Sequence, residues 1–235
     1  RAVRAQHAEV ERITLELLDR AATAGDVVEC DFVERFAAPL PIAVIAWMLG
    51  VPRSDWELLF RWTNEVIGKD DPEYRRPGET PAQTTKRARG ELHAYFERLI
   101  ELRRREPGDD LVSELVCAEI DGRPLAREQL LSYCELMVEA GNETTRNAIS
   151  GGLLAFCEHR GEWERLRARP ELLPDAVEEI LRWVSPIIHF TRVATADCEI
   201  RGRTIRAGDP LALFWASANR DEDVFGDPFA FRVDR

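Results

Sequence analysis

Apolar side chains recur at helical spacing between about residues 127 and 158, where they mark one long segment of the chain. They are Leu130, Leu131, Cys134, Met137, Val138, Ala148, Ile149, Leu153 and Phe156. Positions three and four residues apart lie on one face of an α-helix, so this spacing predicts a helix. The apolar positions cover most of the surface of that helix, and we therefore expect it to run through a hydrophobic core.

A polar stretch, Ala140–Thr145, interrupts this segment near its middle. Gly141 costs about 1 kcal/mol relative to alanine inside a helix, and the hydroxyls of the two threonines can bond back to the carbonyls of residues 140 and 141 and bend the helix. One interpretation is that Asn142, Glu143 and Arg146 face solvent while Gly141 lets another helix approach closely. The other interpretation is that a ligand lies against this polar stretch.

The pattern before and after this segment predicts further helices. They are Ala5–Ala22, which stops at Gly25, a proline-started helix within Phe36–Pro52, Trp56–Ile67, Thr84–Arg105, a short helix from Asp109, Glu162–Arg169 and Pro174–Val184. Ser54 is expected to cap the helix that starts at Trp56. At the start of the central helix, Ala126 stands where a serine or threonine would complete a capping box with Gln129.

After Pro186 the pattern changes to short strands separated by turns. Strands are predicted at 190–195, at Cys198–Ile200 and within Ile205–Trp215, with turns at 201–203 and 207–209. The predicted fold class is therefore mainly α with a small, late, antiparallel β-sheet. No repeat or linker suggests a second domain within residues 1–235.

Composition narrows the classes of function. The chain has 235 residues, of which 45% are hydrophobic and 32% charged, as in ordinary globular proteins. The net charge of −11 argues against nucleic-acid binding, which needs clustered cations. Five widely spaced cysteines without a CxxC pair argue against a zinc site or a disulfide framework and fit a cytoplasmic protein. The most apolar run, Pro39–Pro52, is too short to span a bilayer, and no signal peptide precedes it.

Three motifs in a fixed order carry a family resemblance. They are the polar stretch Ala140–Thr145, the pair Glu179 and Arg182 at helical spacing, and the tail that holds Ala218-Asn219-Arg220-Asp221, Asp227-Pro228 and Phe231–Arg235. Together they resemble the cytochrome P-450 family of haem-thiolate monooxygenases nearly from end to end, and most closely its bacterial members that oxidise sterols and related lipids. The resemblance implies the cytochrome P-450 fold and haem b (iron protoporphyrin IX) as cofactor.

The resemblance gives the polar stretch a catalytic role. It implies that Thr144 orders the hydrogen bonds around oxygen, that Glu143 relays protons, and that Ala140 and Gly141 offer a flat surface to oxygen and haem. One departure from the family is Glu139, at a position that is usually apolar. Because Glu139 lies four residues before Glu143, their repulsion would raise the pKa of one carboxyl, unless Glu139 turns away from the site.

Other residues take structural and binding roles by the same resemblance. By spacing alone, Glu179 and Arg182 would be an ordinary surface pair, but the family implies a buried clamp completed by Arg235. Arg192 matches an arginine that binds a haem propionate. Substrate would contact three residues, Val138, Ile187 and Ile188.

Some interpretations stay open at this stage. The loop from Gly68 to Pro81 is either a connector or, by the resemblance, a lid over the substrate entrance. His93 and His189 are each more readily explained as structural histidines than as metal ligands. No cysteine lies in the Phe-x-x-Gly-x-x-x-Cys-x-Gly context of the family's iron ligand, so we expect an internal portion of a cytochrome P-450 that holds no metal ligand itself.

The expected function is that of a haem-dependent monooxygenase. The full-length enzyme would hydroxylate an apolar small molecule such as a sterol, a terpene or a fatty-acid-like compound, with O2 and electrons from a ferredoxin-type or flavoprotein donor. The alternative is a non-catalytic helical interaction module of the same fold that binds no haem.

Overall fold

The computed structural model describes residues 6–21 and 29–235 of the chain. The chain forms two compact units, Arg1–Arg146 and Asn147–Arg235, whose boundary falls within the central helix. The described residues are mainly helical, with short antiparallel strands, which confirms the predicted fold class. The prediction of a single domain stays a prediction.

Helices dominate the first unit. In chain order they are α1 (His7–Ala21), α2 (Pro39–Met48), α3 (Trp56–Ile67), α4 (Pro81–Arg105), α5 (Leu111–Cys117) and the start of α6 (Arg127–Glu158), with the antiparallel hairpin of β1 (Glu119–Ile120) and β2 (Arg123–Pro124) before α6. A π-helical turn, Val33–Ala37, precedes α2. Helix α6 has the predicted bounds. Ala5, Ala22 and Gly25, named in the first predicted helix, lie outside the described residues.

The start of α3 corrects one prediction. The helix begins at Trp56 as expected, but Ser54 does not cap it. The Ser54 hydroxyl instead donates to Asp55 Oδ1 at 2.9 Å, within a 3₁₀ turn at Arg53–Asp55. Because that turn leads directly into α3, the serine lies one residue too early to reach the first free N–H groups of the helix.

Two other helix starts show how local hydrogen bonds fix the bounds. Helix α4 begins at Pro81, earlier than predicted, because Thr80 and Gln83 form a complete capping box before it. At α6, the Gln129 side chain accepts a hydrogen bond from the N–H of Ala126 at 2.9 Å. Only the glutamine half of that box can form, since alanine has no hydroxyl.

The second unit combines helices with two short sheets. It holds the end of α6, then α7 (Arg160–Ala168), a 3₁₀ turn at Pro170–Leu172, α8 (Leu173–Val184), β3 (His189–Val193), β4 (Cys198–Ile200), β5 (Arg203–Ile205), β6 (Pro210–Phe214) and α9 (Trp215–Ala218). Strand β3 pairs antiparallel with β6, and β4 pairs antiparallel with β5. The predicted late sheet is therefore two separate two-stranded sheets among the described residues.

Each unit has its own hydrophobic core. The core of the first unit is built by α2, α3, α4, α5 and the first half of α6, with Leu49, Leu59, Phe96, Leu130 and Val138 among its fully buried side chains. The core of the second unit centres on Phe231, whose ring lies 5.4 Å from that of Phe156 and 5.6 Å from that of Trp183. Among the helices of the described residues, none combines the length and hydrophobicity that a membrane crossing requires.

Candidate functional site

The polar stretch of α6 holds a hydroxyl that bonds back to the helix. Thr144 Oγ1 donates to the carbonyl oxygen of Ala140 at 2.9 Å, as the sequence predicts. Ala140 is exposed, and Thr144 is half-buried beside it. Thr145 is exposed and makes no such bond in the described part of the chain. Helix α6 nevertheless runs without interruption through this stretch, so the back-bond does not break it.

Gly141 makes room for α2. A Cβ atom at this position would lie 2.7 Å from Ile45 Cδ1, closer than two carbon atoms can approach. The glycine therefore permits the close helix approach that one interpretation of the sequence required. The contact with Ile45 is enough to explain why residue 141 is a glycine. The predicted contact of Gly141 with haem therefore stays a prediction.

Asn142 is buried, and the expectation that it faces solvent is wrong. Its side chain is 1% exposed, and neither its amide nitrogen nor its amide oxygen has a hydrogen-bond partner among the described residues. It lies one helical turn beyond Val138 and therefore on the core-facing side of α6. Leaving a buried amide unpaired costs about 1–3 kcal/mol.

The two acidic residues near the threonine have different partners. Glu143 Oε1 accepts a hydrogen bond from Arg146 at 2.5 Å, one turn along α6. Glu139 faces α4 instead, where its Oε1 lies 3.8 Å from a terminal nitrogen of Arg89. Burial raises the pKa of Glu139, and the nearby charge of Glu135 raises it further. A raised pKa was expected, but its cause is not repulsion from Glu143.

A buried ion-pair network ties α8 to the end of the chain. Arg182 donates to both carboxylate oxygens of Glu179, at 2.6 and 2.8 Å. Arg235 Nε donates to Glu179 Oε2 at 3.0 Å, and the N–H of Arg232 donates to Glu179 Oε1 at 2.9 Å. The Glu179 side chain is fully buried. Burial alone would raise its pKa, but these hydrogen bonds outweigh burial, and the pKa of Glu179 is lowered.

The same two arginines also bind main-chain carbonyls in the tail. Arg182 donates to the carbonyl oxygens of Asn219, Pro228 and Ala230, and Arg235 donates to those of Gly226, Asp227 and Ala230. The clamp, defined as Glu179, Arg182 and Arg235, therefore fixes the path of the chain from Asn219 to its last residue.

Arg220 is a member of this network that the sequence did not single out. It donates to the carbonyl oxygens of Arg182 and Trp183 at the end of α8, at 3.0 and 2.8 Å. Its guanidinium also lies 4.6 Å from the centre of the Trp183 ring. Burial and the charge of Arg182 lower its pKa. The motif Ala218-Asn219-Arg220-Asp221 could have pointed to this role, but the sequence analysis used the motif only for the family resemblance.

Arg192 is exposed and forms no ion pair among the described residues. Its guanidinium lies 5.4 Å from the ring of Phe190, and one nitrogen donates to the carbonyl of the adjacent Thr191 at 2.8 Å. Such a group retains donors that can bind an anion bidentately. Of the two predicted substrate residues nearby, Ile187 is half-buried and Ile188 is exposed.

The burial of Val138 corrects the predicted substrate contacts. Its side chain is 0% exposed and belongs to the core of the first unit, with Leu131 and Cys134. A side chain closed within that core offers no surface to a ligand. The helical pattern could not show this, because Val138 and the exposed Ala140 are only two residues apart on opposite sides of α6.

Ion pairs hold the loop between Gly68 and Pro81, which precedes α4, against its neighbours. Arg87 donates to both carboxylate oxygens of Glu79, at 2.7 and 2.9 Å, and to the buried Glu65 at 3.0 Å. Arg76 lies 3.2 Å from Glu91. The hydrogen bonds from Arg87 lower the pKa of Glu79 to about 2. Its role as a lid stays a prediction, but a moving loop would have to break these pairs.

The cysteines can be compared as iron ligands, and Ala140 and Arg192 as residues that contact haem. Burial raises the pKa of Cys134 to about 12, so its sulfur stays protonated and is unsuited to ligate iron. Cys30, Cys117, Cys157 and Cys198 are exposed. In the part of the chain that the structure describes, no cluster of histidine, cysteine or acidic residues could hold a metal ion. The exposed Ala140 and the unpaired guanidinium of Arg192, in contrast, fit the face and the propionate of a haem.

Comparison with known proteins identifies relatives of this chain. The family model described as cytochrome P450 matches residues 78–235. The steroid C26-monooxygenase of Mycobacterium tuberculosis is 39% identical over 234 residues, which are 99% of this chain and 51% of that enzyme. The linalool 8-monooxygenase of Pseudomonas putida is 40% identical over 95% of this chain and 54% of that enzyme. The chain thus spans about half the length of the curated relatives it matches.

Solved structures agree with these relatives. A cytochrome P450 of Mycobacterium marinum in complex with pseudoionone matches 99% of this chain and 56% of its own, with a TM-score of 0.92 and 36% identity. A cytochrome P450 of Bacillus megaterium in complex with testosterone matches 100% of this chain and 61% of its own, with a TM-score of 0.88 and 35% identity. Both sequence and structure therefore point to one family.

Proposed function

Because this chain belongs to the cytochrome P450 family, we propose that the full-length protein is a haem-dependent monooxygenase that hydroxylates an apolar small molecule with O2 and electrons from a redox partner. The observation that carries this proposal is the similarity of nearly the whole chain to a steroid C26-monooxygenase and a linalool 8-monooxygenase. A methyl-branched lipid omega-hydroxylase of Mycobacterium tuberculosis is also 41% identical over 88% of the chain. No observation favours the alternative of a non-catalytic module.

The chemistry that oxidises the substrate belongs to the cofactor. Haem, when bound, supplies the iron at which dioxygen is activated and from which one oxygen atom passes to the substrate. The protein supplies binding, orientation and protons. In our proposal the guanidinium of Arg192 binds a propionate of haem b, and the small side chain of Ala140, with Gly141 next to it, lets the cofactor approach α6.

Glu143 and Thr144 are proposed to deliver protons. The Thr144 hydroxyl donates its hydrogen bond to the Ala140 carbonyl, at 2.9 Å. The hydroxyl oxygen therefore remains free to accept a hydrogen bond from a proton-donating group and to orient that group. The Glu143 carboxylate is the proposed proton carrier, and its pairing with Arg146 holds it on one side of α6. A positioned acid of this kind contributes roughly 10²–10⁴-fold to a proton-dependent rate.

The clamp is proposed to hold the tail of the chain in the form that haem binding needs. Arg182 and Arg235 together donate six hydrogen bonds to tail carbonyls. They donate three more to the fully buried carboxylate of Glu179. Such a network loses more when one partner is removed than the pair contributes as a whole, because a buried charge is then left unpaired.

We propose an apolar substrate of the sterol, terpene or fatty-acid-like class. Ile187 and the exposed Ile188 offer hydrocarbon surface, and burying such surface contributes about 25 cal/mol per Å². The named substrates of the relatives, a steroid, linalool and a methyl-branched lipid, are all largely hydrocarbon. A ferredoxin-type or flavoprotein electron donor and a cytoplasmic location are part of the same proposal.

The substrate class can be tested by ligand binding to the full-length holoprotein. Steroids, linalool-like terpenes, long-chain fatty acids and small organic cations of similar size should be titrated while the haem absorbance spectrum is recorded. We expect the apolar compounds to displace water and shift the spectrum at lower concentration than the cations. Tighter binding of the cations would contradict the proposed substrate class.

A further inference from the structure

Two side chains of α7 bind the tail next to the clamp. Glu162 Oε2 accepts a hydrogen bond from the main-chain N–H of Val233 at 2.8 Å. Arg165, one turn further along α7, donates to both carboxylate oxygens of Asp234, at 2.8 Å for Oδ1. These contacts join residues 71 and 69 positions apart, so local sequence patterns could not reveal them. Glu162 and Arg165 together are called the α7 anchor.

The main-chain N–H of Val233 depends on Glu162. Val233 is 0% exposed and lies in the core of the second unit, where water cannot take the place of a lost partner. In the part of the chain that the structure describes, no other acceptor bonds this N–H. A buried N–H without a partner carries the full penalty of desolvation. The Glu162 carboxylate therefore stabilises this conformation of the tail.

Apolar packing gives the α7 anchor a fixed support. Trp163 and Leu166, which follow Glu162 and Arg165 on α7, pack against the core of the second unit. The Trp163 ring lies 5.3 Å from the ring of Phe156 at the end of α6. Because the core holds this side of α7, the two polar side chains beside it reach the tail from a rigid helix rather than from a loop.

Two helices share the binding of four successive tail residues. The N–H of Arg232 and the side chain of Arg235 both donate to Glu179 on α8. The two residues between them, Val233 and Asp234, bind the α7 anchor. Loss of the α7 anchor would therefore leave the contacts to Glu179 in place and release only the two middle residues.

We propose that Glu162 and Arg165 are positioning residues for haem binding, which rests on the proposed function of the clamp. The clamp holds the tail at Arg235, and the α7 anchor holds it at Val233 and Asp234. Together they fix the direction of the tail in the second unit. A tail that is bound by the clamp alone can shift at the two residues before Arg235, and the protein then holds haem less firmly.

Glu162 contributes more to this positioning than Arg165. The N–H that Glu162 binds belongs to a fully buried residue, so its loss cannot be made good by solvent. The side chains of Arg165 and Asp234 are 35% and 22% exposed, and water screens their attraction. The two side chains of the α7 anchor should therefore give effects of different size in the same experiment.

The first test measures hydrogen exchange at the Val233 N–H in the full-length protein, by mass spectrometry resolved to single residues. In Glu162→Ala we expect exchange on the order of 10-fold faster than in the wild type. Glu162→Gln should stay close to the wild-type rate, because the amide oxygen of glutamine can still accept the hydrogen bond. Glu164→Ala, at an exposed position of the same helix, is the control and should not change the rate. Wild-type exchange in Glu162→Ala would overturn the proposal.

The second test measures the rate at which the full-length holoprotein loses haem to an excess of apomyoglobin, which requires no turnover. Glu162→Ala should release haem on the order of 10-fold faster than the wild type, and Arg165→Ala about 3-fold faster. Glu162→Gln should release it at close to the wild-type rate. Unchanged release in both alanine variants would overturn the positioning role.

A core variant separates positioning from a general loss of stability. Leu172→Ala removes a buried side chain from the core of the second unit but leaves the contacts of the α7 anchor in place. At an equal drop in thermal midpoint, Leu172→Ala should release haem more slowly than Glu162→Ala, and equal release would overturn the positioning role. A wild type that takes up no haem would contradict the proposed function instead, and hydrogen exchange would then decide by itself whether α7 holds the tail.

Discussion

Replacement of Thr144 by alanine in the full-length enzyme is expected to lower the product formed per reductant consumed on the order of 10²-fold. The side chain contributes one hydrogen bond, to the Ala140 carbonyl, and alanine is the better helix former, so folding, haem content and substrate binding should change little. Reductant would still be consumed. Oxygen, however, would leave as hydrogen peroxide, because no hydroxyl at position 144 would orient the group that delivers the protons. Product, peroxide and reductant consumption measured in one reaction give the ratio.

Thr145→Ala is the matched control for this prediction. Thr145 is the next residue along α6, turned about 100° around the helix axis, and it is exposed without the back-bond that Thr144 makes. Its replacement should leave the ratio of product to reductant close to the wild-type value. Equal coupling in wild type and Thr144→Ala would remove the role assigned to this threonine.

Arg182→Ala is expected to abolish haem incorporation. The substitution leaves the fully buried Glu179 carboxylate without its bidentate partner, which costs roughly 3–5 kcal/mol. It also removes the hydrogen bonds that Arg182 donates to the tail carbonyls of Asn219, Pro228 and Ala230. A loss of that size is a large part of the stability of a typical domain. The haem-to-protein absorbance ratio of the purified variant measures the effect.

Two controls separate the clamp from a general loss of arginine. Arg167→Ala, on the exposed side of α7, should keep the wild-type haem content. Arg182→Lys should lose most of the haem, because an ammonium group cannot donate in parallel to both oxygens of Glu179. A normal haem-to-protein ratio in Arg182→Ala would show that the clamp does not govern haem binding.

Much of the helical framework could be predicted from sequence. Helix α6 has the predicted bounds because apolar residues recur through all of it, and α8 ends at Val184, before the predicted break at Pro186. The sequence also brought Glu179, Arg182 and Arg235 together, but only through the family resemblance. Their spacing alone indicated an ordinary surface pair, since nothing local reveals that Arg235, 56 residues later, reaches Glu179.

The remaining features depend on contacts that the sequence pattern does not contain. Val138 and Asn142 are buried because α6 turns that side toward the first core, and periodicity alone cannot decide which side faces a ligand. Glu139 faces Arg89 rather than Glu143 because α4 crosses there. In the central helix, tertiary packing therefore determines the burial or the partner of each residue whose prediction was wrong.

The incorporation of oxygen from isotopically labelled dioxygen tests the proposed function most directly. The full-length holoprotein, supplied with an electron donor and an apolar substrate from the binding panel, is allowed to turn over under labelled O2, and the product is analysed by mass spectrometry. We predict a hydroxylated product that carries one labelled oxygen atom. A product without label, or no product from a haem-loaded protein that binds the substrate, would contradict the account.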